Sequence, residues 1–251
     1  MDIATQYFEK VTGVISKIRD NEGPSVKRAA KVLADQIASD HLIHVIGTGG
    51  HSMIGAEEIF YRAGGLVPVD PIFETGMSLK MGAVRSTVIE RVPGLVPNLL
   101  RQVYKLKAGE ALIIVNAYGV NSATIDAALE GKRLGLTTIA ITATGTADAL
   151  APDHPARHPS GKKLYETVDI FVNTYVPLGD AVVSVPGVSE KIGSVSTFAN
   201  AYALGWIVVE TVNELASRGI EPPVWKSANS PGGDEYNKAH LEKYQGVIRH
   251  L

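Results

Sequence analysis

The chain has 251 residues, 45% hydrophobic content, a formal net charge of −2 and no cysteine. This length and hydrophobicity suffice for a globular core, while the missing thiols exclude disulfide bonds, thiolate metal sites and a cysteine nucleophile. The near-neutral charge offers no electrostatic attraction to nucleic acid or to an anionic membrane surface. Neither a signal peptide nor an apolar run of about 20 residues is present, so we expect a cytoplasmic protein that binds no membrane.

The first 40 residues show the apolar spacing of two helices, at 2–19 and 26–39, separated by a break that ends at Pro24. We predict that these N-terminal helices (1–40) pack on a core domain of residues 41–221. A C-terminal extension, residues 222–251, follows and contains a short helix near 235–245.

The predicted core domain alternates short apolar strands with helices. Strands are expected at 42–46, 66–69, 111–115, 137–141 and 168–174, and helices at 95–106, 122–134 and 195–217, with an irregular segment at 70–86. Wholly apolar strands between helices indicate an α/β fold whose parallel sheet is covered on both faces. In such a sheet the ligand crevice lies at the carboxyl ends of the strands, where the strand order reverses.

The strand at 42–46 leads into the sequence GTGGHS, residues 47–52, which we call the glycine turn. One interpretation is an anion cradle made of the backbone at Gly49 and Gly50 and the hydroxyl of Ser52, at the start of a helix. The other is a dinucleotide site, with Asp70 as the ribose-binding acid. Ser52 replaces the third glycine of that pattern, and Pro68 interrupts the next strand, so the second interpretation is weaker. A phosphate-binding loop of nucleoside triphosphatases is absent.

Three titratable residues near the glycine turn are catalytic candidates. Glu57 and Glu58 point about 100° apart on the following helix, so only one of them can serve as a general base in the site. The alternative for either is a solvated glutamate, with Glu58 and Arg62 forming an i,i+4 ion pair. His51 lies in the turn itself, which favours a functional role over a packing role.

Other polar residues have weaker signals. Asn121 and Ser122 open a helix, which predicts capping and is compatible with ligand contact. Ser160 begins the loop SGKK, which is either an anion clasp or a solvated basic turn. His154 and His158 do not have a metal-ligand spacing, so we predict no metal and no cofactor.

Taken together, these residues resemble the SIS (sugar isomerase) domain family, and in particular its single-domain phosphosugar isomerases and phosphosugar-binding proteins. The likeness covers nearly the whole chain. It is carried, in order, by GTGGHSMIGAEEIFYRAGG (47–65), Ser86 with Glu90 and Arg91, Gly119 with Asn121, HPSGKKLYETVD (158–169), GDAVV (179–183), VSTF (195–198) and SANSPGGDEYN (227–237).

The resemblance implies a flavodoxin-like five-stranded parallel sheet flanked by helices, and a homodimer or higher homo-oligomer whose sites lie near the subunit interface. It implies a sugar phosphate as ligand. Glu58 matches the second glutamate of the A-E-E segment of phosphoheptose isomerases, and His51 would assist ring opening. Further substrate-binding residues would be Glu90, Arg91, Asn121, Ser122, Ser160, Thr197, Asn229 and Glu235, the last two in the C-terminal extension and acting in the site or across the dimer.

One departure from the family pattern concerns phosphate binding. The second family motif, S-x-S-G-x-T, usually supplies hydroxyls, whereas this chain has Asn116, Tyr118 and Asn121 there, and only Ser122 keeps a hydroxyl. Fewer hydroxyls mean fewer hydrogen bonds to a phosphate. The alternatives are a phosphorylated ligand held by backbone N–H groups and Ser160, a ligand with a different anion, and a ligand with no anionic group.

The expected function is an aldose–ketose isomerase that acts on a sugar phosphate or amino sugar phosphate through an enediol, with a glutamate as the base. A lyase or etherase remains an alternative, because proton abstraction next to a carbonyl begins those reactions too. A non-catalytic phosphosugar sensor is the third candidate. Regulators of this fold usually carry an added DNA-binding domain, so a sensor would need a partner protein.

Overall fold

The computed structural model describes residues 2–251. Its strands are β1 (Ile43–Gly47), β2 (Val69–Ile72), β3 (Ala111–Val115), β4 (Thr137–Thr142), β5 (Ile170–Asn173), β6 (Ala181–Val183) and β7 (Ile192–Ser194). Its α-helices are α1 (Ile3–Asn21), α2 (Gly23–Ala38), α3 (Met53–Ile59), α4 (Ala83–Ile89), α5 (Leu95–Asn98), α6 (Ser122–Arg133), α7 (Thr144–Ala149), α8 (Leu164–Thr167), α9 (Ser196–Ser217) and α10 (Gly233–Tyr244).

Strands β1 to β5 form one parallel sheet in the order β2-β1-β3-β4-β5. This confirms the flavodoxin-like sheet flanked by helices and the helical N-terminus. The strand order reverses between β1 and β3, whose register pairs Gly47 with Val115. The segments that follow these two strands therefore start side by side at the same edge of the sheet.

Both faces of the sheet are covered, which explains the unbroken apolar strands. Along β3, Ala111, Ile113 and Val115 pack into a cluster with side chains of α1, α2 and α9. The alternate residues Leu112 and Ile114 pack into a second cluster with side chains of α5 and α6. Because successive side chains of a strand point to opposite faces, a strand buried on both faces requires an apolar residue at every position.

The predicted second strand, 66–69, is wrong by three residues, because β2 begins at Val69. Leu66 forms an antiparallel bridge with Val224, and the Val67 amide donates to the Pro223 carbonyl at 2.9 Å. The backbone that the sequence pattern assigns to the sheet therefore hydrogen bonds to the C-terminal extension instead. Pro71 is tolerated in β2 because this strand lies at the sheet edge.

Three further local expectations differ from the structure. Helix α3 ends at Ile59, and Tyr61 adopts a left-handed φ of 47°, so the helix does not reach Arg62, whereas the predicted i,i+4 pairing with Glu58 implies that it does. The predicted helix 95–106 becomes a π-helix at Leu99–Val103 and ends there. The antiparallel hairpin β6–β7 lies between β5 and α9, where no strand is predicted. Among residues 2–251, no helix combines the length and hydrophobicity that a membrane crossing requires.

Candidate active site

A cavity of about 760 Å³ opens at the carboxyl ends of the strands, beside the point where the strand order reverses. Its walls come mainly from residues within 49–52, 86–91, 116–121, 149–156 and 178–180, and from Ser196 and Asn200 of α9. Segments 49–52, 116–121 and 178–180 follow β1, β3 and β5, segment 86–91 spans the end of α4, and segment 149–156 begins at the last residue of α7. Separate parts of the chain therefore converge on one cavity. The place agrees with the ligand crevice that parallel α/β sheets use.

Buried hydrogen bonds hold the glycine turn at the cavity floor. The Thr48 carbonyl accepts from the side-chain amides of Asn116 at 2.7 Å and Asn121 at 2.9 Å. Gly47 is required by close approach, since a Cβ built there would lie 2.2 Å from the Ser52 carbonyl oxygen. Ser52 lines the cavity, and its side chain does not cap α3. The asparagines of the divergent second motif therefore position the first motif.

Glu90 is a partly buried carboxylate in the cavity lining. Burial raises its pKa to about 7, although the charge of Arg91 and a hydrogen bond from Asn121 oppose the rise. Its backbone is fixed at both ends: the amide donates to the Ser86 carbonyl at 3.0 Å, and the carbonyl accepts from the Ala123 amide at 2.9 Å. A carboxyl group that titrates near neutrality is suited to both accepting and donating a proton.

Asp180 closes another wall by capping α9. Its Oδ1 accepts from the amides of Val195 at 2.9 Å and Ser196 at 2.8 Å, and its Oδ2 accepts from the Ser196 hydroxyl at 2.7 Å. Asp180 has a left-handed φ of 62°. An internal carboxylate thus occupies the positive end of this helix, where an anionic ligand would otherwise bind.

Arg157 fixes the wall that follows α7. Its guanidinium donates to the carbonyls of Ala147 at 2.9 Å, Leu150 at 2.6 Å and Ala151 at 2.8 Å. Leu150 and Ala151 line the cavity. One planar side chain therefore sets the course of a segment that has little regular structure of its own.

Half of the catalytic and substrate-binding residues predicted from the sequence line this cavity. Its lining includes Gly49, Gly50, His51, Ser52, Glu90, Arg91 and Asn121. Ser122 does not reach the lining, because it is buried in the first turn of α6. Thr197 lies in the first turn of α9 and is also outside the lining, whereas its neighbour Ser196 is part of it.

The two glutamates after the glycine turn lie outside the cavity lining. Glu58 Oε2 is 3.1 Å from Arg62 Nη1, the ion pair weighed as the alternative to catalysis. Glu57 Oε1 is 3.6 Å from Lys80 Nζ and lines a smaller pocket of about 330 Å³. Both carboxylates are thus paired with a cation near the surface.

The remaining predicted residues also lie elsewhere. Ser160 is exposed, and its hydroxyl is 2.7 Å from Nδ1 of His158. Asn229 lines a pocket of about 210 Å³ beside Trp225. Glu235 is exposed in the first turn of α10. Within the single chain, none of these three side chains contributes to the 760 Å³ cavity.

Asp70 is engaged in a buried charged cluster near the amino ends of the strands. His44 Nδ1 lies 3.0 Å from Asp70 Oδ2, and its Nε2 lies 3.0 Å from Glu110 Oε2. Burial by itself lowers the pKa of His44, but the hydrogen bonds and charges of the two carboxylates outweigh it and raise this pKa. Asp70 therefore cannot bind a ribose at the opposite edge, which removes a support of the dinucleotide interpretation.

In the described part of the chain, no group of three or more His, Asp or Glu side chains is arranged to hold a metal ion.

Several cavity residues escape sequence reasoning. Asp180 belongs to the GDAVV stretch, which carried the resemblance without an assigned role, and Asn200 lies two residues beyond VSTF. Tyr118 and His154 line the cavity as well. An asparagine on a helix or an aspartate in a loop is a common surface residue, so neither has a signal that marks a cavity before the chain is folded.

The model of the SIS domain matches residues 6–143, which include the glycine turn, Glu90 and the second β–turn–α unit. The chain belongs to the SIS domain family. This confirms the resemblance drawn from the sequence. The match ends before Asp180 and α9, so the family model does not cover that wall of the cavity.

Relatives of this SIS domain protein align over almost their full length. It is 36% identical to the UPF0309 protein of Geobacillus kaustophilus over 243 residues, which cover 97% of this chain and 94% of the relative. It is 32% identical to the UPF0309 protein of Brucella canis over 250 residues, or 100% of this chain and 99% of the relative.

Solved structures share the fold of this SIS domain protein at low sequence identity. Phosphoheptose isomerase from Neisseria gonorrhoeae superposes with a TM-score of 0.53 at 13% identity, covering 85% of this chain and 97% of the isomerase. A phosphoheptose isomerase from Francisella tularensis gives a TM-score of 0.52 at 13% identity, covering 84% and 96%. At such identities the likeness concerns the fold.

Proposed function

We propose that this SIS domain protein binds a phosphorylated sugar in the 760 Å³ cavity and interconverts its aldose and ketose forms, with Glu90 as the proton-transfer group. The observation that carries the proposal is the half-buried Glu90 carboxyl, whose pKa of about 7 lies far above its ordinary value. The shared fold of phosphoheptose isomerases supports a sugar phosphate as the class of ligand.

The isomerisation requires one group that first removes a proton and then returns it. In the proposed reaction, the Glu90 carboxylate takes the proton from C2 of the open-chain aldose. The electron pair of that C–H bond forms the C1=C2 double bond, and the carbonyl pair moves to O1, which gives the enediolate. The resulting carboxylic acid then gives its proton to C1, and the transfer of the hydroxyl proton from O2 to O1 leaves the carbonyl at C2, which completes the ketose. A pKa near 7 keeps both protonation states accessible at neutral pH.

The other cavity residues have roles that follow from their chemistry. Arg91, the backbone of the glycine turn and the Ser52 hydroxyl offer a cation and hydrogen-bond donors for the phosphate. We assign to His51, an exposed imidazole in the same lining, the role of opening the sugar ring. Asn121 both holds the Thr48 carbonyl and hydrogen bonds to Glu90, so it connects the turn to the proposed base.

Proton exchange in deuterated water tests the proposal. The protein is incubated with fructose 6-phosphate, glucosamine 6-phosphate, ribose 5-phosphate and related sugar phosphates, and exchange at C1 and C2 is followed by NMR. We expect exchange with at least one sugar phosphate and its loss, by about a thousandfold, in Glu90→Gln.

Glu58→Gln is the matched control, because it makes the same chemical change at the glutamate indicated by the family pattern. If Glu58→Gln abolishes exchange while Glu90→Gln retains it, the base is Glu58 and the assignment to Glu90 is wrong. Exchange accompanied by loss of a substituent from the sugar identifies the lyase or etherase. Stabilisation by a sugar phosphate without exchange across the whole panel identifies the sensor.

A further inference from the structure

Asn200 is a buried polar residue in the cavity wall whose side-chain oxygen has no hydrogen-bond partner among the described residues. It lies in the second turn of α9, is 5% exposed and belongs to the cavity lining. Its Oδ1 has no hydrogen-bond partner within residues 2–251. Leaving an amide oxygen unsatisfied in a protein interior is unfavourable, so such a group requires an explanation.

The surroundings of Asn200 define the kind of group that could pair with it. One turn earlier, Ser196 donates its amide and its hydroxyl to Asp180, whose carboxylate occupies the amino end of α9. This wall therefore carries a negative side chain, which already accepts from the amides of Val195 and Ser196 at the helix end where an anion would bind. A phosphate would be repelled here, whereas a neutral group that accepts and donates hydrogen bonds would be matched by a carboxamide.

The cations and free donors of the cavity belong to other segments. Arg91 follows α4, and the glycine turn follows β1, while Asn200 lies on α9. The cavity volume of about 760 Å³ is large enough for a sugar phosphate to contact all of these segments at once. The walls of the cavity thus differ in chemistry: one part suits an anionic end of the ligand, and the wall at α9 suits a neutral end.

We propose that the Asn200 carboxamide binds a hydroxyl, carbonyl or acetamido group of the sugar, and that the phosphate lies toward Arg91 and the glycine turn. This inference deepens the proposed function and rests on it. Asn200 is then a specificity-determining residue, which recognises the sugar and contributes nothing to phosphate binding.

The test uses Asn200→Leu, which keeps much of the side-chain volume and removes both polar atoms. Affinities for fructose 6-phosphate, glucosamine 6-phosphate, ribose 5-phosphate and inorganic phosphate are measured by titration calorimetry, and Tm by scanning calorimetry without ligand. We expect at least a tenfold loss of affinity for the sugar phosphate that binds the wild type best, and unchanged affinity for inorganic phosphate. Tm should stay equal or rise, because an unsatisfied amide is replaced by an apolar group.

Two further variants make the result decisive. Asn213→Leu places the same substitution at an exposed position of α9, and it should leave all four affinities unchanged. Asn200→Ala removes the carboxamide without adding branched bulk, and it should show the same selective loss if Asn200→Leu does not fold.

The possible results distinguish a failure of the role of Asn200 from a failure of the proposed function. Equal sugar-phosphate affinities in the wild type and both Asn200 variants would overturn the role of Asn200 and leave the proposed isomerase standing. A Tm several degrees lower in Asn200→Ala and Asn200→Leu, with inorganic phosphate affinity lost as well, would show a structural role and overturn the inference. If no sugar phosphate binds the wild type, the proposed function itself fails, and the inference falls with it.

Discussion

The carboxylate of Glu90 packs against the α-carbon of Gly49, so that a Cβ built on Gly49 would lie only 2.6 Å from Glu90 Oε2. Forty-one positions apart in sequence, the two residues meet because α4 and the residues after it cover the glycine turn. The absence of a side chain at Gly49 is therefore what admits the proposed proton-transfer group into the cavity.

Gly49→Ala should displace the Glu90 carboxyl and impair exchange by about a hundredfold, since a shift of about 1 Å in a reacting group has an effect of this order. We expect the free energy of unfolding to fall by about 1–3 kcal/mol from the same overlap. NMR exchange and urea denaturation measure the two effects. Gly13→Ala, in α1 with open space around the new methyl, is the control and should leave exchange unchanged. Full exchange in Gly49→Ala would contradict the role of Glu90.

Glu90 also makes stability depend on pH. Its pKa rises from 4.5 to about 7 on folding because of burial, so the folded state binds the proton more tightly than the unfolded state between these values. Stability therefore falls as pH rises through this window, and Glu90→Gln removes the effect. The free energy of unfolding of the variant, relative to that of the wild type, should therefore increase by about 1–2 kcal/mol when the pH is raised from 5 to 8, after allowance for partial solvent exposure. Urea titrations at both pH values measure it, and a difference that does not change with pH would refute the expectation.

His44, like Glu90, stabilises the folded state in its protonated form, but for a histidine that form is the charged one. Because the pKa of His44 is raised by Asp70 and Glu110, its contribution is complete below the unfolded pKa and is lost as pH rises through the folded pKa. His44→Gln leaves two buried carboxylates without a cation, so we expect a loss of about 3 kcal/mol near pH 6 that narrows at higher pH. Denaturation curves across this range test it.

The control for His44 is His41→Gln, an exposed histidine three residues earlier, which should change stability by under about 0.5 kcal/mol. A loss in His44→Gln that grows with pH would mean that the imidazole acts as a neutral hydrogen-bonding group.

Arg157→Lys should loosen the cavity wall after α7. A lysine ammonium cannot reproduce the planar fork that reaches the carbonyls of Ala147, Leu150 and Ala151. We expect a loss of about 1–2 kcal/mol of stability and about tenfold weaker binding of the sugar phosphates. Arg28→Lys, exposed on α2, controls for the substitution itself. Unchanged calorimetric affinity in Arg157→Lys would show that the wall keeps its shape without the guanidinium.

The sheet was predictable because its determinants are local. Residues 111–115 are apolar at every position, and the structure has β3 at Ala111–Val115. The parallel arrangement then places the ends of β1 and β3 together, so the glycine turn and Asn121 could be assigned to one edge from sequence. Strand β2 was misplaced because the competing partner of Leu66 is Val224, 158 positions later in the sequence.

The wall residues were harder to predict because their properties are created by packing. Glu90 obtains its high pKa from burial under neighbours that no spacing rule identifies. In the sequence, Asp180 looks like an ordinary turn residue. Its capping role exists only in the folded chain, where the start of α9 lies beside it. Glu58, by contrast, has a strong sequence likeness, and its exchange test decides whether that likeness extends to chemistry.

The capping of α9 by Asp180 also makes the state of the cavity wall measurable by amide hydrogen exchange. The amide protons of Val195 and Ser196 are held by its carboxylate at the cavity wall, and the next residue back, Ser194, accepts from the Tyr7 hydroxyl of α1 at 2.7 Å. Hydrogen–deuterium exchange at these two amides therefore registers whether the wall opens, and slower exchange with a sugar phosphate would record occupancy without any label on the ligand. Since Tyr7 ties the same segment to the N-terminal helix, a change at the cavity has a physical route to the outer surface of the molecule.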